Sequence, residues 1–118
     1  MEKKSLRNSG RNMEENKYGL KITPIASEDL DEIYSYIANE LLNEDAAENL
    51  MEKIENSILR LKDFPFSCGF VADEILKQKG YRKLVIDSYI AFYIVDEKEK
   101  QVVIMRVLFS RQRYQDII

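Results

Sequence analysis

Residues 81–109 read YRKLVIDSYIAFYIVDEKEKQVVIMRVLF. Three runs in this stretch, Tyr81–Ile86, Tyr89–Val95 and Gln101–Phe109, are rich in β-branched and aromatic residues, with Asp87-Ser88 and then Asp96–Lys100 between them. Connections of two and five residues are hairpin lengths, so the spacing predicts three consecutive strands in an antiparallel meander. The second and third runs are apolar at nearly every position. That pattern suggests the middle of the sheet, or a face covered by helices on one side and by a partner on the other.

Working outward toward the N-terminus, Phe66–Lys79 has no clear period and reads as loop with room for a short turn. Ahead of it, Ala47, Leu50, Met51, Ile54, Ile58 and Leu61 fall at helical spacing, and so do Leu30, Ile33, Tyr34, Ile37, Ala38 and Leu41. Either Ser27, or Thr23 with Pro24 in the first turn, supplies the start of the earlier helix. The polar break at Asn43–Asp45 is so short that the two helices must fold back on each other as an antiparallel hairpin. YGLKIT (18–23) alternates like a short strand that stops at Pro24, and the tail SRQRYQDII has room for one helical turn. The expected fold is α+β, of order β-α-α-β-β-β, with a helical hairpin packed on one face of a small, mainly antiparallel sheet. Residues 1–17 lack apolar periodicity and are expected to form a flexible arm, leaving residues 18–118 as the domain.

Composition narrows the chemistry. There is no histidine and one cysteine, Cys68, so Ser-His-Asp and Cys-His catalysis, His-containing metal boxes and thiolate zinc sites are all excluded. The longest uncharged stretches, Phe64–Ala72 and Ser88–Val95, are too short to cross a bilayer, and the N-terminus has no apolar signal region; a cytoplasmic protein without membrane contact is expected. Charge is unevenly spread. Residues 18–76 carry a net −9 and residues 77–118 a net +4, within a total of −3. The acidic total argues against general nucleic-acid binding, and no sequence-specific DNA binding by the chain alone is expected.

The basic C-terminal half also holds most of the tyrosines. Cations among aromatic faces are able to grip phosphates and stack bases, although tyrosines packing a sheet beside solvated Lys and Arg give the same composition. Arg106 stands out: strict alternation places it on a strand face with Val102, Ile104 and Leu108, where a guanidinium needs an acidic or carbonyl partner, a snorkelling route or a binding surface. The carboxylates Glu28, Asp29, Asp31, Glu32, Glu48, Glu52 and Glu55 read as the water-facing sides of the helices, with no metal or acid/base site among them.

The helix opening TPIASEDLDEIYSYI together with residues 81–114 resembles the RelE/ParE superfamily of bacterial type II toxins, small proteins neutralised by a cognate antitoxin. The parts that carry the resemblance are the Y-R-x-L strand, the Tyr-x-x-x-Tyr strand with its VDE turn, and the R-V-L strand with a basic-aromatic end. The resemblance implies one of two targets, because a shared fold does not fix the chemistry. RelE-like members cleave mRNA on the ribosome with basic residues on the sheet and a Tyr or His near the C-terminus, whereas ParE-like members poison DNA gyrase by binding. Arg82 matches a strand position that is basic in both branches. The chain departs from the nuclease pattern at Ile90 and Leu84, where basic groups are expected, and at Phe109, where a His often ends the strand.

The ParE-like reading is therefore preferred, with a RelE-like endoribonuclease and a decayed toxin that only binds antitoxin as alternatives. For antitoxin or target contact the resemblance implies Arg82, Lys83, Arg106, Phe109, Arg111, Arg113 and Tyr114. If the chain is a nuclease, Arg82, Arg111, Arg113 and Tyr114 would carry the reaction. No cofactor or metal is implied.

Overall fold

A computed structural model describes residues 17–118. The arm expected over residues 1–17 therefore lies, except for Lys17, outside the described residues. Strand β1 (Gly19–Ile22) leads into helix α1 (Pro24–Ser35), whose first turn is fixed by Thr23: its hydroxyl accepts from the Ala26 amide at 3.1 Å, and Pro24 supplies the helical φ. The helix expected to run on to Leu41 instead widens into a single π-helical turn, Tyr36–Glu40. Asn43 then caps α2 (Glu44–Arg60), which has Glu44 and Asp45 at its N-terminal end and Arg60 at the other, as the helix dipole favours.

The segment read as loop contains a short helix, α3 (Glu74–Gln78). Asp73 caps it, and Gly80 at φ 89° leaves it in the left-handed conformation that glycine adopts without a Cβ penalty. No apolar period signals α3, because one turn and a half is too short to show one. The meander follows as expected: β2 (Arg82–Ile86), β3 (Tyr89–Asp96) and β4 (Gln101–Phe109), closed by a 3₁₀ turn at Tyr114–Asp116.

The four strands lie in the order β1-β4-β3-β2. All pairings are antiparallel except β1 with β4, where Gly19 faces Gln101 and Ile22 faces Ile104. The hairpin covers one face through Ala26, Ile54, Ile58 and Leu61, packed on Ala91, Tyr93, Val102, Ile104 and Val107. The other face carries a smaller core in which Ile90, Phe92 and Leu108 meet Val71 and Leu76 from the α3 segment, with Tyr114 and Ile118 against them. Both faces of β3 and β4 are apolar because the chain itself covers both.

Strict alternation fails at one place. Phe92 pairs with Arg106 but Tyr93 pairs with Ile104, so Met105 is an extra residue on β4, a β-bulge. The bulge inverts the parity of the strand: Val102, Ile104 and Val107 face the hairpin, while Leu108 faces the second core. The strand face expected for Arg106, shared with Val102, Ile104 and Leu108, is thereby corrected; Arg106 stands opposite Phe92.

β1 ends at Ile22, so β4 beyond Ile104 has an open edge, and buried backbone groups there need partners. α1 and its cap supply them. The Thr23 hydroxyl donates to the Met105 carbonyl at 3.1 Å, and the Val107 amide donates to Asp29 Oδ2 at 3.0 Å. Asp29 also holds Arg106 in a two-point contact, with Nε to Oδ2 at 2.8 Å and Nη2 to Oδ1 at 2.9 Å. Only 7% of Asp29 is exposed, which corrects its assignment to a water-facing helix surface. Removing one member of a buried pair strands the other charge. Asp29→Ala is expected to cost about 3–5 kcal/mol in urea unfolding, whereas the double variant Asp29→Leu/Arg106→Met should recover only part of that loss, because the Val107 amide still lacks its acceptor.

Tyr93 anchors the other end of the core. Its ring is fully buried and its hydroxyl donates to the Pro65 carbonyl at 3.0 Å, tying β3 to the loop after α2. Burial, reinforced by the neighbouring Cys68 thiol, pushes this phenol well above its ordinary value. A pKa raised on folding favours the neutral form, so the contribution is complete below the unfolded tyrosine value of roughly 10 and is lost as pH climbs above it. Denaturant melts between pH 7 and 11.5 should show stability falling above about pH 10. In Tyr93→Phe that fall should be shallower, at a cost of about 1 kcal/mol at pH 7.

Candidate functional site

The seven residues proposed for target or antitoxin contact do not meet in one place; they divide among three regions. At the N-terminal end of β2, the Arg82 guanidinium lies over the Phe70 ring at 4.1 Å and the Phe66 ring at 5.2 Å. Its Nη1 donates to the Cys68 carbonyl at 2.6 Å. The loop after α2 is brought there by backbone pairing, Val71 N–H to the Tyr81 carbonyl at 3.0 Å and Lys83 N–H to the Gly69 carbonyl at 3.2 Å. Arg82 therefore braces this loop, and its neighbour Lys83 projects into solvent.

The second region is the C-terminal turn. Arg111 and Arg113 are exposed, and Arg113 pairs with Asp116 at 3.0 Å, a contact of the solvated kind that contributes little to stability. Tyr114 turns away from both arginines and packs on Phe92, ring centroids 4.7 Å apart, as part of the second core.

The third region is a cleft of about 500 Å³ where α1 passes the open edge of β4. Asp29, Glu32 and Tyr36 line it from the helix side, Tyr89 from β3, and Arg106, Val107 and Phe109 from β4. These residues come together because positions 29, 32 and 36 share one stripe of the helix and its π turn. Tyr89 and Phe109 stand opposite each other in the register and meet edge to face at 5.7 Å. Burial, with Tyr36 nearby, raises the Tyr89 phenol above its ordinary value. The Arg106 guanidinium is held still more firmly charged, first by its hydrogen bonds to Asp29 and then by the fields of Glu32 and Glu28.

Arg106 and Phe109 are thus brought to one cleft, which Gln112 and Ile117 of the C-terminal turn also line, while Arg82, Lys83, Arg111, Arg113 and Tyr114 are not part of its lining. Reading the sequence missed Asp29, Glu32 and Tyr36. A signal was present for Asp29, since it sits three residues after buried Ala26 and four before Ile33, on the inward stripe of α1. Among the described residues no group of three Asp, Glu or Cys side chains is placed to hold a metal, and no helix is long and apolar enough to cross a membrane.

The division predicts separable effects. Arg82→Ala should cost about 1–2 kcal/mol through the lost stacking and carbonyl contact, whereas Arg111→Ala and Arg113→Ala should each stay within about 0.5 kcal/mol of the parent in thermal melts.

Comparison with known proteins places this architecture. Residues 20–114 match the family described as the ParE toxin of the type II toxin-antitoxin system, parDE. No curated protein sequence matches the chain significantly. Among solved structures, the chromosomal ParDE toxin-antitoxin system from P. aeruginosa superposes with a TM-score of 0.66 at 23% identity, covering 80% of this chain and 97% of that one. The toxin-antitoxin complex RelBE2 from Mycobacterium tuberculosis gives 0.53 at 19% identity over 79% and 98% of the two chains. A double arginine mutant of the E. coli toxin RelE in the free state gives 0.60 at 13% over 83% and 88%. At these identities the structural likeness is one of fold.

Proposed function

This chain belongs to the ParE toxin family of type II toxin-antitoxin systems, and on that premise we propose that it inhibits growth by binding DNA gyrase, without nuclease chemistry of its own, until a cognate antitoxin covers it. The observation that supports a non-nucleolytic toxin is the engagement of the two arginines on the sheet. Arg106 is held at two points by Asp29, and Arg82 is spent on the Cys68 carbonyl and two phenylalanine rings. RNA cleavage requires cations gathered around one phosphate with a proton donor and acceptor beside them. The positions where such cations would stand hold Ile90, buried in the second core, and Leu84.

A RelE-like reading retains one specific support. Arg111 and Arg113 are exposed at the end of β4 with Tyr114 next in sequence, a basic-aromatic end that has the residue types for charge stabilisation and acid catalysis. A decayed toxin that only binds antitoxin is the third reading.

Antitoxin binding is assigned to the strands, which carry the positive charge, with Lys83 near the start of β2 and Phe109 and Arg111 at the far end of β4 as separate exposed contacts. The −9 of residues 18–76 repels an acidic segment from the helices, and the +4 of residues 77–118 attracts it to the strands. Lys83→Glu and Arg111→Glu should each weaken antitoxin binding by about 10-fold in calorimetry, and Glu48→Arg on α2 should leave it within about 2-fold.

The target is tested by running purified protein in parallel through a gyrase supercoiling assay and a reconstituted translation assay read by primer extension. Gyrase inhibition with intact mRNA is the expected result. Ribosomal A-site cuts that fall by about 10²-fold or more in Tyr114→Phe and Arg111→Ala would replace it with the nuclease reading. Silence in both assays, with antitoxin binding retained, would indicate the decayed module.

A further inference from the structure

The cleft beside α1 has a chemistry that neither the family assignment nor the antitoxin contact accounts for. Its only internal ion pair, Asp29 with Arg106, is closed on itself and neutral as a unit. That leaves the exposed carboxylate of Glu32 to set the charge of the cleft, and among the described residues no Lys or Arg lies within ion-pair distance of it. A second acceptor comes from the backbone. Val107 stands opposite Ala91 in the register but sends its amide to Asp29 and not to β3, so the pair is of the non-hydrogen-bonded type and the Val107 carbonyl also points outward, into the cleft.

Aromatic side chains flank these acceptors. Tyr36 is 53% exposed, Phe109 is 41% exposed, and Tyr89 is half-buried between them with its ring edge on Phe109. With Arg106 closed on Asp29, the Glu32 carboxylate gives the cleft a net negative charge, which disfavours phosphate and carboxylate ligands; the remaining donors on its wall, the Gln112 amide and the Tyr36 and Tyr89 hydroxyls, are neutral. Apolar ring faces beside a carboxylate and a carbonyl suit a flat cation with several N–H groups. A guanidinium meets both demands, stacking on rings while donating in its plane; an ammonium does so less well. The volume, about 500 Å³, exceeds one side chain and leaves room for the backbone that carries it.

We infer that this cleft is a receptacle for one arginine side chain presented by a polypeptide partner, with Glu32 and the Val107 carbonyl as acceptors and Tyr36, Tyr89 and Phe109 as stacking walls. The source of that side chain rests on the antitoxin reading above, while the chemistry of the receptacle does not. An otherwise acidic antitoxin segment would then be fixed in register by a single basic residue, because the cleft carries a carboxylate of its own that repels a negative group.

The test is an aromatic-detected NMR titration of the full chain with the probe peptide acetyl-Gly-Arg-Gly-amide, beside its Lys and Glu analogues and spermidine. Expected are saturable shifts confined to the Tyr36, Tyr89 and Phe109 rings with the Arg peptide, weaker binding of the Lys peptide, and none of the Glu peptide. Glu32→Gln and Tyr36→Ala, both exposed positions, should each weaken the Arg peptide about 3-fold or more while the rest of the spectrum is unchanged. The inference is overturned by an absence of saturable shifts, by equal response to the Glu peptide, or by undiminished affinity in both variants. Spermidine binding as tightly as the Arg peptide overturns it in favour of a polyamine site. Failure of the antitoxin reading shows separately, as no complex with the product of the adjacent reading frame.

Discussion

The Asp29 carboxylate is the constraint on which the arrangement of helix and sheet depends. One side chain does what a fifth strand would otherwise do: it accepts the Val107 amide on the open edge of β4 and at the same time neutralises Arg106. A carboxylate this deeply buried is tolerable only because all of these donors converge on it, and they converge only when α1 lies at one height and one rotation against the strand. The apolar contacts of the hairpin through Ala26, Ile54 and Ile58 bring the layers together without fixing their register. Charge supplies that register, and the cleft beside it inherits its shape.

That architecture explains why the sheet is two-faced. β3 and β4 are buried on both sides, yet the domain has only one helical layer of any length. The second face is closed by economical means: one turn and a half of α3, a backbone bridge from Phe70 to Arg82, and Tyr114 packed at a tilt of 38° against Phe92. Arg82 holds the loop that carries Val71 over this face. A residue whose charge suggests a substrate contact is here part of the scaffold, which is why counting basic residues along the sheet overstates the number available to a ligand.

Much of the fold was legible because periodicity reports burial. The strands over 82–109 and both long helices follow from apolar spacing, and the Thr23-Pro24 start of α1 is one of the two starts that capping chemistry offered. What was not legible has a common cause: it depends on contacts distant in sequence. Asp29 looks like any other carboxylate in DLDEIY until Arg106, 77 residues away, is placed beside it. β1 pairs in parallel with β4 across the whole domain, and local pattern says nothing of that. The candidate site fared less well than the fold. Only Arg106 and Phe109 reach the cleft; Tyr114, adjacent to the arginines in sequence, points to the opposite face because the chain turns sharply after Phe109.

The extra residue at Met105 has a consequence for how this chain tolerates change in length. Upstream of it, the β3–β4 turn at Glu97–Lys100 is exposed, and added or lost residues there leave both faces in phase. Within β4 the outcome depends on where a residue is lost. Losing Met105 itself would restore strict alternation with Ile104 and Val107 still on the hairpin face and Leu108 still in the second core, at the loss of the carbonyl that accepts from Thr23. The extra residue therefore serves the edge contact with α1 and not the division of side chains between the two cores.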